Sequence, residues 1–202
     1  TVKISNAAAV NGGAINDVSF SVNGAAASDS ARVDAVTAVT ARAGKMGIVG
    51  GAVVVDGAIT GTDVLKTVTL DGYGAATTIA SDAIETINLS NSAQGVTVTT
   101  ASIESATLNL NKITGAAAIN MDGGGATLTG LTVNTTGTAS VVDVIADSAL
   151  AVTINAGVKT TLTNSSFNAA KTITVTGAGA VVLDEDGAYN AVTSIVASGN
   201  TG

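Results

Sequence analysis

The stretch Leu65–Leu110, LKTVTLDGYGAATTIASDAIETINLSNSAQGVTVTTASIESATLNL, says one phrase three times. Leu65, Ile84 and Ile103 open LKTVTLDG, IETINLSN and IESATLNL, each 19 residues after the last. Each phrase alternates. Val68 and Leu70 oppose Thr67, Thr69 and Asp71; Ile87 and Leu89 oppose Thr86, Asn88 and Ser90; Ala106, Leu108 and Leu110 oppose Ser105, Thr107 and Asn109. A period of two rich in β-branched residues predicts half-buried strands, whereas a helix needs apolar residues three and four apart.

Working outward, the phrase returns as LAVTINAG from Leu150, AKTITVTG from Ala170 and AVTSIVASG from Ala191. With Ile154, Val175 and Ala197 equivalent, the steps are 21 and 22. Between phrases lie second short strands, GVTVTT from Gly95, TTLTN from Thr160 and AVVLD from Ala180, separated by turn-forming NSAQG, MDGGGA and GAGA. One repeat is thus strand, turn, strand, turn in 19–22 residues. The expected fold is all-β, a parallel β-solenoid resembling a β-helix or β-roll, with inward columns Val68/Ile87/Leu108 and Leu70/Leu89/Leu110. About seven coils from Thr62 onward, stacked roughly 4.8 Å apart, would make a rod about 34 Å long.

Residues 62–202 carry this pattern, and residues 1–61 read as an irregular strand-rich part that could cap the solenoid. DVSFSVNG (Asp17–Gly24) and TVKIS fit strands. ASDSARVDAVTAVTARAG (Ala27–Gly44) reads as strand through Val33, Ala35, Thr37 and Val39, or as a short helix capped by Ser28 or Ser30.

Composition narrows the function. Lys+Arg total 8 against 15 Asp+Glu, a net charge of -7, which argues against nucleic acid and anionic membrane partners. With two Tyr, two Phe and no Trp, the core must be thin and aliphatic. Cys and His are both absent, so no disulfide, thiolate or imidazole metal site can form. The longest apolar run, MGIVGGAVVV (Met46–Val55), is too short to cross a bilayer. TVKISNAAAV lacks a signal-peptide pattern, so the chain reads as a fragment or as exported by a signal elsewhere.

No catalytic constellation emerges: the many Ser and Thr have no His or Cys to activate them, and the lysines sit in no motif. The expectation is a non-enzyme. Asp184, Glu185 and Asp186, the densest acidic run, could hold calcium through carboxylate and backbone oxygens on a turn, or simply be solvated. MDGGGA around Asp122 lacks the repeated glycine-aspartate nonapeptide of calcium β-rolls and reads as a plain turn. Asp56, Asp63, Asp71 and Asp82 read as Asx-turn residues. Outward Thr-x-Thr pairs (Thr67/Thr69, Thr97/Thr99, Thr127/Thr129, Thr172/Thr174/Thr176) suggest an ice-binding ladder, but Asn88, Ser105 and Asn155 interrupt it, and Thr favours exposed strand positions anyway.

DVLKTVTLDG, IETINLSNSAQGVTVTT and KTITVTGAGAVVLD resemble the β-strand repeats of bacterial surface-layer (S-layer) proteins and type I-secreted surface proteins. The resemblance covers about Thr62–Gly202. It implies an extracellular location on the bacterial surface, self-association into a lattice or fibre, calcium between subunits and contact with surface polysaccharide. It implies no catalytic residues. The rival readings are a carbohydrate-binding or carbohydrate-cleaving β-helix module, an adhesin and an ice-binding solenoid.

Overall fold

The computed structural model describes residues 2–5, 18–22, 31–34, 38–43 and 54–56 as backbone strands. It describes residues 66–202 in full, apart from 74–75, 100–102, 116, 124, 126 and 185–186. Strands β1 (Val2–Ser5) and β3 (Ala31–Asp34) form a parallel pair. A nine-stranded sheet runs in the order β2 (Val18–Val22), β4 (Ala38–Ala43), β6 (Thr67–Asp71), β8 (Thr86–Ser92), β10 (Ile103–Ile113), β12 (Leu128–Thr135), β14 (Ala151–Ala156), β16 (Thr172–Gly177), β18 (Ser194–Asn200). A seven-stranded sheet runs β5 (Val54–Asp56), β7 (Thr77–Ala80), β9 (Val96–Thr99), β11 (Ala117–Gly123), β13 (Ser140–Ile145), β15 (Thr160–Leu162), β17 (Val181–Leu183).

Strands alternate between the two sheets, and each pairs in parallel with the strand two places on. That is a parallel β-solenoid, with six complete turns from β6 and a last strand, β18, on the larger sheet. There is no helix among the described residues, so the Ala27–Gly44 stretch contributes strands β3 and β4.

Alternation builds the core. Val68, Ile87, Leu108, Val133, Ile154 and Val175 lie in register in one inward file, all buried. Leu70, Leu89 and Leu110 begin a second file, which ends in Thr135 and Ala156. Both expected columns therefore form. Ile79, Val98, Ile119, Val142, Val144 and Leu162 face them from the smaller sheet. A buried aliphatic side chain contributes about 1.5–3 kcal/mol relative to exposure, and stacking repeats the gain at each coil without aromatic anchors.

Buried hydroxyls serve the corners, where turning backbone loses its ladder partners. Ser92 Oγ donates to Tyr73 O at 2.6 Å, and Ser165 Oγ accepts from Val144 N at 2.8 Å. Thr135 and Thr160 pair their hydroxyls at 2.5 Å.

The coil length departs from the sequence reading. The step of 19 holds from Val68 to Ile87, but Thr86 pairs with Thr107, a step of 21, and not with Ser105. The following step, Leu108 to Val133, is 25; those from Val133 to Ile154 and on to Val175 are 21. Ile103, read as the equivalent of Ile84, instead opens the 11-residue strand β10 and pairs with Leu128.

Candidate functional site

Correcting the register changes what lies on the outer face of the larger sheet. Thr67, Thr86, Thr107, Thr132, Thr153 and Thr174 fall in one file across six successive strands. All six are partly exposed. Two residues along each strand runs a second file, Thr69, Asn88, Asn109, Asn134, Asn155 and Thr176.

The second file is tied along the solenoid axis. Asn88 Nδ2 donates to Thr69 Oγ1 at 2.9 Å, Asn109 Nδ2 to Asn88 Oδ1 at 2.7 Å, and Asn134 Nδ2 to Asn109 Oδ1 at 2.7 Å. Thr176 Oγ1 donates to Asn155 Oδ1 at 3.4 Å. An amide in such a ladder uses one donor and one acceptor on its neighbours and keeps a second N–H and lone pair for other partners. Neither file holds a charged residue. Charge begins at the margins, with the exposed Lys66–Glu85 ion pair at one edge and Asp71 at the other. Asp71 accepts from Ser90 Oγ at 2.7 Å and Asn91 Nδ2 at 2.6 Å of the next coil. A groove of about 410 Å³ follows the threonine file past Thr86, Thr107, Thr132 and Thr153, with Gly130 and Ala151 among its lining.

The Thr-x-Thr pairs singled out in the sequence do not form one surface. Thr97 and Thr99 belong to β9 of the smaller sheet, while Thr172, Thr174 and Thr176 belong to β16 of the larger. The sequence reading missed Thr132 and Thr153, and it read Thr86 and Thr107 as outward without joining them to a ladder. The signal was present: Thr-x-Thr or Thr-x-Asn recurs at 67/69, 86/88, 107/109, 132/134, 153/155 and 174/176.

Of the acidic run, Asp184 directly follows β17, where its N–H donates to Leu162 O at 3.0 Å and its carbonyl accepts from Gly187 N at 3.1 Å. Glu185 and Asp186 lie outside the described residues. Near Asp184 is Tyr189, whose phenol is pushed up by burial and, less, by the charges of Asp184 and Asp143. Asp143 Oδ1 and Tyr189 Oη are buried atoms without a hydrogen-bond partner, and burial raises the Asp143 carboxyl above its usual range. Phe167 packs against Tyr189 at a centroid distance of 5.8 Å. Among the described residues, no three Asp or Glu side chains converge as a metal site would need.

Asp122 lies at the end of β11, where Gly125 N donates to its carbonyl at 3.2 Å. Its carboxylate reaches the next coil, accepting from Asp147 N and from Ser148 Oγ at 2.6 Å. Asp147 repeats the device, accepting from Ser166 Oγ and from Asn168 Nδ2 at 2.8 Å, and Asn190 Nδ2 then donates to Asn168 Oδ1 at 2.6 Å. These acids tie corner to corner.

Comparison of the chain with family models, curated proteins and solved structures finds no match. Two features of the geometry bear on function: a periodic uncharged face and acids tied into corners. In β18, Ile195 and Val196 are 57% and 41% exposed. Ile195 continues the file of Val152 and Ile173, both of which are buried.

Proposed function

We propose that this chain is a structural, self-assembling, S-layer-like part of a bacterial cell-surface protein, acting without catalysis. The observation that carries the reading is the parallel stack from β2 to β18, which from β6 onward repeats one unit with apolar files inside and hydroxyl and amide files outside. The texture shared with surface-layer repeats supports a location outside the cell.

Calcium enters the proposal through charge. Copies carrying a net charge of -7 repel one another, over about 10 Å at 0.1 M salt. A divalent cation shared by Asp184, Glu185 and Asp186 would relieve that and gain oxygen ligands. Electron microscopy of the full-length parent on cells tests the reading: an ordered lattice or fibre supports it. Monomers at every protein and calcium concentration, or turnover of a polysaccharide, would overturn it. Chelation is expected to loosen the assembly and leave the apolar-cored solenoid folded.

A further inference from the structure

We propose that the outer face of the larger sheet binds the surface of ice. The premise is physical. Crystalline water is a periodic, uncharged ligand, so a surface that is itself periodic in two directions, neutral and held in place can match it.

The larger sheet has all three properties. Along the axis, its threonines repeat about every 4.8 Å; across the strands, the two files stand about 6.7 Å apart, two residues of extended chain. Both spacings are comparable to oxygen repeats on ice faces. Six threonines fall in the first file without interruption, spanning about 24 Å from Thr67 to Thr174. Each threonine offers a hydroxyl that both donates and accepts, beside a methyl group around which water orders. The second file is immobilised by its own hydrogen bonds from Thr69 to Asn134, so its outward amide groups lose little freedom on binding.

Charge points the same way. The chain carries 15 acidic residues, yet none falls in either file. A carboxylate there would hold a hydration shell incompatible with the lattice; Glu85 and Asp71 sit at the margins of the face with partners of their own, and the exposed Glu104 of β10 lies three residues before Thr107, outside both files. The smaller sheet lacks the pattern: Val141, Thr161 and Val182 share one outward file, and Asp143 interrupts the face. A second copy of the chain could meet the same face, but the two-direction match to water favours ice.

The test uses the purified 202-residue chain. Its uptake into a slowly growing ice hemisphere and its inhibition of ice recrystallisation are measured for wild type, Thr107→Lys, Thr132→Lys and, on the other sheet, Thr161→Lys. Circular dichroism verifies the β fold of each variant. Wild type and Thr161→Lys are expected to enter ice and slow recrystallisation, and the two file variants to lose both effects while folded. Exclusion of the wild type from ice would overturn the proposal, as would file variants that still enter it. Self-association abolished by the file variants, in a protein that ice excludes, would also overturn it and assign the face to a second copy.

Discussion

The two sheets share every coil of one solenoid and differ in almost everything else. From β6 onward, the larger sheet keeps strands of 5–11 residues, and its ladder shifts once, between Thr174 and Thr176. The smaller sheet has strands as short as 3 residues and shifts between Asn120 and Gly123. Outside, the larger sheet repeats threonine and asparagine; the smaller exposes Val141 and Val182 and carries the unpartnered Asp143 oxygen. The difference teaches where constraint lies. Coils of 19, 21 and 25 residues stack because insertions fall between strands of the larger sheet, leaving its files in line.

The strongest challenge to this contrast is a charge in the larger sheet's inner file. Ile87→Asp buries an unpaired carboxylate and is expected to cost about 4 kcal/mol or more in denaturant unfolding. Thr161→Asp, outward on the smaller sheet, should stay within about 0.5 kcal/mol. Equal losses would dissolve the contrast.

Next in size is Gly177, which ends β16 at φ 96°, a left-handed conformation. A Cβ there would collide with the Ala156 carbonyl of the preceding coil. Gly177→Ala is expected to cost about 1–3 kcal/mol, seen as a lower denaturation midpoint with an unchanged slope.

Asn109 donates to Asn88 and accepts from Asn134, so Asn109→Ala removes two rungs of the outer ladder. A loss of about 1 kcal/mol is expected, since partly exposed groups recover water as a partner. No loss would mean the ladder orders side chains without stabilising the fold.

The smallest effect belongs to the smaller sheet. Burial raises the Asp143 carboxyl, so the folded chain holds that proton to higher pH than the unfolded chain does. Its contribution is complete below the ordinary carboxylate range and is lost as pH rises through the folded value. Asp143→Asn should therefore raise the melting temperature slightly at neutral pH and leave it unchanged well below the ordinary carboxylate pKa. A lower melting temperature at neutral pH would mean that the carboxylate has a stabilising partner.

Sequence alternation identified the fold, the two sheets and both inner columns, because facing in or out is a local, period-two property. The phrases stepped by 19 while the inward column Ile87/Leu108 stepped by 21, and alternation alone could not choose between them. A shift of two residues returns every side chain to its own face, so Ser105 and Thr107 were equally good outward partners for Thr86. The same limit hid the site. With Ser105 in line the threonine ladder looked broken, and Asn88 and Asn155 looked like interruptions until Asn109 and Asn134 joined them. The acids at Asp71 and Asp122 reach side chains one coil away, contacts that depend on register.

Cysteine pairs test that register directly, because the chain has no cysteine of its own. Thr86 and Thr107 are paired on neighbouring parallel strands, about 4.8 Å apart, within reach of a disulfide. Thr86 and Ser105 are offset by two residues, about 8 Å apart, beyond that reach. In mild oxidant, Thr86→Cys/Thr107→Cys is expected to close an intramolecular disulfide, and Thr86→Cys/Ser105→Cys to remain reduced. Ready closure of the Ser105 pair, with none in the Thr107 pair, would contradict the register and, with it, the six-threonine file.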